Sequence, residues 1–386
     1  MPRLTFRRVR AAACACILVL AACGSGETTP GTVRFALTDS PACGFDQVNI
    51  SIERIRVHRS AEAGENATGW TEMRLSPARR IDLLKLSNGV LEELGQLSLP
   101  AGRYAQLRLV LAANGSGTPA NSVVPSGGDE TVLDLPSSVQ GGISVVYSFS
   151  VTESKVTDVL FDFDACRSVA SSGSDSYELR PSVKAVPRNG ATVTGYVDAQ
   201  LAGVTISAQK SGVESRATVA DANGRFVLAF LDPAQSPFDV VFSAAGRVTA
   251  VVSAVPVSSS AGAELSRIDA PITLPVATDR TASGTVGPTA ARGTAVVRAR
   301  QLIGAAGQVE LARVNANSGT GRYSLSLPSE QPRLAAYSTK LPLSFSAAGE
   351  AGRYTLEATA DGYAEQLQAI DLTSASATWN VTLVRQ

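Results

Sequence analysis

Alternation of apolar and polar residues with a period of two runs through most of this chain, and it predicts strands. Ile143, Val145, Tyr147, Phe149 and Val151 form the cleanest run. Val159, Phe161, Phe163 and Ala165 repeat the pattern, with Asp158, Asp162, Asp164 and Cys166 on the opposite face. After the turn Leu99-Pro100-Ala101-Gly102-Arg103-Tyr104, residues Ala105, Leu107, Leu109 and Leu111 face one way and Gln106 and Arg108 the other. Thr32 to Leu37 opens the series as an edge-like strand. In the next strand Val48, Ile50 and Ile52 carry the apolar face, and then Ile55 and Val57 carry it. That one-residue change of phase predicts a bulge near Glu53-Arg54. It leaves His58, the one histidine, on the polar face with Arg54 and Arg56, as an exposed residue without a nucleophile to serve. Only Ser87 to Leu94 has the pattern of a helical turn. Short strands at this spacing predict a β-sandwich over residues 32–188.

Pro187-Arg188-Asn189-Gly190 breaks the pattern, and a second β unit is expected over residues 191–276. Its strands are Val193 to Asp198, Leu201 to Ala208 and Phe238 to Phe242, with Ala245-Gly246-Arg247 beyond them. Between them Asp221-Ala222-Asn223-Gly224-Arg225-Phe226 reads as a tight polar turn that drops Phe226 into the core, since Asn-Gly tolerates positive φ. Residues 281–386 repeat this order in degenerate form. Ser283-Gly284-Thr285-Val286 echoes Thr194-Gly195-Tyr196-Val197, and Thr320-Gly321-Arg322-Tyr323-Ser324-Leu325 echoes Asn223 to Leu228. The drift in spacing requires an insertion between Pro328 and Gly349. The Ser-, Ala- and Val-rich stretch Ser253 to Gly262 reads as a strand running into a loop, and the boundary between the two units falls nearer Pro275 to Thr281.

The amino terminus follows a different rule. Arg3, Arg7, Arg8 and Arg10, with no acid among them, precede an apolar run from Ala11 to Leu20. Small residues then lead to Cys23. This is the layout of an export signal. The run is too short for a transmembrane helix, which needs about 18–20 apolar residues. Cleavage after an Ala-x-Ala site, which leaves a soluble product, is the other reading. Leu20-Ala21-Ala22-Cys23 resembles the lipobox of bacterial lipoproteins. The resemblance implies a signal over residues 1–22, acyl chains such as palmitate on Cys23, and a flexible tether over residues 23–31. Gly24 follows the cysteine, where Asp would retain a lipoprotein in the inner membrane, so the resemblance implies the outer membrane, on its periplasmic face or at the cell surface. Without the four arginines of the signal, 30 basic residues stand against 34 acidic ones, a net of −4. That balance argues against nucleic acid as a partner.

Two further resemblances rest on the order of motifs. Leu37-Thr38-Asp39-Ser40-Pro41, Val48 to His58, Trp70 and Ile81-Asp82-Leu83-Leu84-Lys85-Leu86 come first. Leu99-Pro100-Ala101-Gly102-Arg103-Tyr104 with Leu107-Arg108-Leu109, then Leu160-Phe161-Asp162-Phe163-Asp164 and Leu179-Arg180-Pro181, complete the series. This series resembles the family called domain of unknown function 4382, which implies a β-rich extracytoplasmic fold and carries no activity with it. Residues 191–276, and more distantly 281–386, resemble carboxypeptidase regulatory-like, or transthyretin-like, modules, small seven-stranded sandwiches that serve as spacers or binding accessories. The fold class expected is therefore all-β, with tandem β-sandwiches of immunoglobulin-like or transthyretin-like form after a lipoprotein signal.

Candidate chemistry is sparse. Cys14 and Cys16 leave with the signal and Cys23 takes lipid, so Cys43 and Cys166 remain as an even pair in an oxidising compartment, and a disulfide between them is expected. In the chain-entropy view such a link is worth roughly 4–5 kcal/mol. A metal or redox pair is the rival reading, without CxxC spacing or a nearby histidine behind it. A Cys43–Cys166 link would draw Asp39 towards Asp162 and Asp164, and oxygen ligands so placed would suit calcium. Against it stands a solvated polar face with Asp162 paired to Arg108. Otherwise no cofactor is expected. No Gly-x-Ser-x-Gly elbow, His-Glu-x-x-His or phosphate loop is present, so no catalytic residue is nominated and the chain is read as a non-enzyme. The expected function is a lipid-anchored envelope protein, a structural or binding module attached to the membrane through its anchor and meeting a protein or glycan partner. The alternative is a surface adhesin or glycan-binding lipoprotein, for which Trp70 and Trp379 are the available platforms, Tyr147 and Tyr323 being core residues by alternation.

Overall fold

The computed structural model describes residue 1 and residues 29–39, 44–173, 175–201 and 203–386. The regular structure of the described residues is almost entirely strand, with helices of three or four residues between some of the strands. Among the described residues no helix is long and apolar enough to cross a membrane.

Three hydrophobic cores follow one another along the chain. The first lies between a four-stranded sheet and an eight-stranded one. In the smaller sheet the order is Val183–Val186, Val156–Phe163, Gly31–Asp39, Glu92–Leu99. Gly31–Asp39 runs parallel to Val156–Phe163 and antiparallel to Glu92–Leu99. The segment expected at an edge is thus central, and the reason is visible in its burial. Val33, Phe35 and Leu37 fill the core on one face, while Ala36 and Thr38 are covered on the other. The larger sheet is built around the 14-residue strand Phe45–His58, which pairs with Thr71–Asp82, Gly102–Leu111 and Ser122–Pro125. Its register slips between Ile52 and Arg54 in two pairings at once. The bulge lets Ile52 and Ile55, three residues apart, both reach the core with no exposed surface. Ser87 to Leu94 is not helical. A 3-10 turn occupies Leu83–Leu86, where Asp82 caps the backbone N–H of Leu84, and Glu92 already begins a strand.

The second and third cores share one strand order. In the second, Ala191–Tyr196 sits between Arg225–Leu231 and the parallel strand Ala263–Glu264. The facing sheet runs Val213–Val219, Thr205–Lys210, Phe238–Ser243, Ala250–Val255. In the third, Asp279–Gly287 sits between Arg322–Pro328 and the parallel strand Ala377–Thr378. Opposite lie Gln308–Asn315, Val296–Leu302, Arg353–Thr359 and Gln366–Asp371. The Asp221 turn closes as its sequence predicts. Asp221 Oδ1 accepts from the N–H groups of Asn223 and Arg225, Gly224 takes φ +75°, and Phe226 is fully buried.

The insertion between Pro328 and Gly349 crosses from the third core to the second. Its strand Arg333–Ala336 pairs in parallel with Ala250–Val255, and Ser346–Ala347 adds beyond it, so the second core's larger sheet has six strands. Tyr337, Leu343 and Phe345 of the same insertion pack on the second core. Below it an apolar seam joins the two bodies, with Val241 and Val251 of one against Ile303, Ala306 and Val309 of the other.

Candidate functional site

The most distinctive chemistry of the molecule is a buried ionic junction where all three bodies meet. It begins with a single turn of helix, Ala165–Ser168, which follows the strand Val156–Phe163. Asp164 caps that turn, its Oδ1 accepting from the N–H of Arg167 at 3.0 Å. Asp39 supports it from the neighbouring strand, its Oδ1 accepting from the N–H of Ala165 at 2.8 Å. The turn projects Arg167 between the other two bodies. Arg167 Nε lies 3.1 Å from Asp164 Oδ2, and its Nη2 lies 3.1 Å from Glu214 Oε1 and 3.1 Å from Glu310 Oε1. One guanidinium therefore binds a carboxylate from each of the three bodies. Its planar fork suits this role better than the point charge of a lysine.

Neighbouring ion pairs extend the junction. Asp162, with 1% of its surface exposed, pairs with Arg216 of the second body and with Lys184, whose Nζ lies at 3.3 Å. Arg298 pairs with Glu357 and reaches Glu310 at 3.7 Å. The amide of Gln209 docks on the backbone of Glu310 in both senses, donating to its carbonyl at 2.7 Å and accepting from its N–H at 2.9 Å. Around the same contact lies a cavity of about 200 Å³ lined by Asp164, Arg167, Glu214, Glu310 and Arg313.

Burial decides the proton affinities here. It pushes the Asp164 carboxyl up to about 6, helped by the charge of Glu214 and opposed by Arg167. Glu214 is raised for the same reason, with Arg167 pulling down and Glu310 pushing up. Burial works against the charge of Arg167, but Glu214, Asp164 and Glu310 together hold its pKa above the ordinary value.

A peg on the first body adds a neutral contact. Asn88, at φ +59°, inserts between two strands of the second body. Its Nδ2 donates to the carbonyl of Val219 at 2.8 Å, and its Oδ1 accepts from the N–H of Val227 at 2.9 Å and from the Thr218 hydroxyl at 3.2 Å.

Of the residues nominated from sequence, Asp39, Asp162 and Asp164 do come to the same end of the first core, but their charges are already engaged. Asp162 and Asp164 face guanidinium groups, and Asp39 holds a backbone N–H. Among the described residues no group of three His, Cys, Asp or Glu side chains is placed to hold a metal ion. Arg108 is not the partner of Asp162. It reaches the carbonyls of Ala63 and Gly141 instead, on the outer face of the larger sheet. Cys166 lies in the helical turn beside the junction. Cys23 with its leader, and Cys43, lie outside the described residues.

His58 is not a loose surface residue. Its ring meets Trp70 at 4.9 Å, its Nδ1 accepts from the N–H of Ser60 at 2.9 Å, and its Nε2 reaches the carbonyl of Thr68 at 3.0 Å. The guanidinium carbons of Arg56 and Arg108 lie 4.7 and 5.5 Å from the centre of the same indole. These contacts fasten the loop 60–70 to the sheet, and they engage the ring that a sugar platform would need. Trp379 packs against the third core, and its carbonyl accepts from the Tyr323 hydroxyl at 2.7 Å.

The residues that sequence reasoning missed are Arg167, Glu214 and Glu310. Each looks like an ordinary strand-end charge in sequence, and no local signal joins them.

No curated protein matches the chain. Among solved structures, a streptococcal ancillary pilin aligns over 92% of this chain and 99% of its own, at 10% identity and a TM-score of 0.19. The major pilin subunit BcpA of Bacillus cereus aligns over 93% and 100%, at 10% identity and a TM-score of 0.17. A mutant type II cohesin–X–dockerin complex of Acetivibrio cellulolyticus aligns over 23% of this chain and 59% of its own, at 25% identity and a TM-score of 0.20. Superpositions this loose carry nothing over to this chain. The first core is another matter: residues 30–181 match the family described as Domain of unknown function (DUF4382).

Proposed function

We propose that this chain is a non-enzymatic, lipid-anchored protein of the bacterial envelope, which holds a block of β-sandwiches close to the outer membrane and offers it to a protein or glycan partner. The observation that carries the reading is the order Arg-rich segment, apolar run, Leu20-Ala21-Ala22-Cys23 at the amino terminus. The first strand begins at Gly31, so only seven residues separate it from Cys23. Fully extended, that tether reaches about 25–30 Å. Acyl chains on Cys23 would therefore keep the first core within one small-domain diameter of the bilayer. Two or more chains make such anchoring stable, each buried methylene adding about 0.8 kcal/mol.

Two further parts of the reading have their own support. The shared strand order of the second and third cores supports two copies of a carboxypeptidase regulatory-like module, over residues 191–276 and 281–386. Cys166 is disulfide-bonded, which supports Cys43 as its partner in an oxidising compartment. Mass spectrometry of a non-reducing digest is expected to find the 43–166 peptide pair, and two free thiols would refute it.

The anchor is tested by Cys23→Ala. Wild-type protein expressed in bacteria is expected in the membrane fraction and labelled by an alkynyl fatty acid. The variant is expected in the soluble envelope fraction, unlabelled. A variant that stays with the membrane would overturn the proposal.

A further inference from the structure

A second cavity lies in the cleft between the first and third cores. This cleft has a volume of about 630 Å³, within the range of small-molecule sites, and its lining includes Arg180, Arg313, Asn315 and Thr359. Arg180 is neutralised by Glu178 at 2.8 Å, and Asp361 stands exposed at the rim. Arg313 is different. Its Nε is buried and has no hydrogen-bond partner, and among the described residues no carboxylate forms an ion pair with it. Its cross-strand neighbour is another arginine, Arg298, which is already held by Glu357 and Glu310. The next cation, Arg167, has its own three carboxylates. Like charges directly opposite on a sheet repel, and a part-buried guanidinium without a counter-ion is costly.

We propose that Arg313 is the anchoring cation of a site for a small oxyanion, a carboxylate or a phosphate group, entering the cleft between the first and third cores. The guanidinium fork binds either group in bidentate fashion. The amide of Asn315 is already used on the carbonyl of Arg167 at 2.8 Å, which leaves hydroxyls such as Thr359 to orient the rest of the ligand. The proton affinity of Arg313 agrees with a missing counter-charge. Burial lowers it, and Arg167 and Arg298 lower it further, against the opposing pull of Glu310 and Asp164, neither of which forms an ion pair with it. The site does not depend on the lipid anchor and would persist in the Cys23→Ala protein.

The test is thermal unfolding of the full-length chain in detergent with inorganic phosphate or galacturonate, each compared with sodium chloride at equal ionic strength. At least one oxyanion is expected to raise the Tm of the wild type by about 2 °C or more at tenfold over its Kd. The arm that responds tells phosphate from carboxylate. Arg313→Gln is expected to be at least as stable as wild type in chloride and to lose the response. Arg313→Lys, which keeps the charge and loses the fork, is expected to bind about tenfold more weakly, and it carries the test if the glutamine variant does not fold. Equal behaviour of the wild type in all three salts, or an undiminished response in Arg313→Gln, would overturn the proposal.

Discussion

Arg167 concentrates more of the interface than any residue around it, because removing it strands Asp164 and Glu214 and leaves Glu310 with only the longer contact to Arg298. Breaking a buried pair by deleting one partner costs about 3–5 kcal/mol, far more than the net worth of the pair. Arg167→Met is expected to lose stability of that order in urea unfolding, and a loss below about 1 kcal/mol would show the cluster to be open to solvent. Asp164 gives a prediction with a sign. Its pKa stands at about 6, above the ordinary value of 3.8, so the folded state holds the proton more tightly. The stability this group contributes is complete below pH ~4 and is lost as pH rises through 6. The swing is on the order of 2–3 kcal/mol. Exposed carboxylates such as Glu130, lowered by the Ser122 hydroxyl and then by Arg80, pull the other way. The comparison that isolates the effect is wild type against Asp164→Asn: the unfolding free energy at pH 4 minus that at pH 7 should be smaller in the variant. The strand that carries these acids also shows what sequence can and cannot say. Alternation separated Val159, Phe161 and Phe163 from Asp158 and Asp162 correctly. It read the second set as a wet surface. Leu160 and Asp162 are in fact buried, because a polar face looks the same in sequence whether water or another sheet covers it.

Elements were legible wherever a local rule sets them. The bulge after Ile52 followed from a change of phase, and the Gly224 turn from the positive φ it requires. Elements set by distant partners were not. Gly31–Asp39 gained its central place from residues 156–163, over a hundred positions away. The spacing showed that the third body carries an insertion, but not that Arg333–Ala336 would be given to another sheet. Asn88 is a similar case, a turn residue whose side chain finds three partners in the second body. Asn88→Gly keeps the backbone conformation and removes those bonds. At about 1 kcal/mol each, the expected loss is roughly 2–3 kcal/mol by chemical denaturation. An unchanged midpoint would mean that the peg is not seated in solution.

Across the whole molecule, the apolar seam, the donated strand and the ionic junction tie together what the chain order suggests is a string of beads. A single cooperative thermal transition is expected for the wild type, with no early proteolytic cut in residues 187–190 or 275–281. Two separated transitions in the calorimeter would contradict such coupling. The donated strand has one more consequence, in time rather than in space. A polypeptide emerges from the ribosome amino end first. Ala250–Val255 therefore appears about 80 residues before the Arg333–Ala336 that will pair with it. Throughout that interval the second sheet ends in a bare edge of unpaired amides, open to any passing strand. The nascent chain is most vulnerable to sticking there, and whatever escorts it must keep that one border shielded until its own later segment arrives to close it.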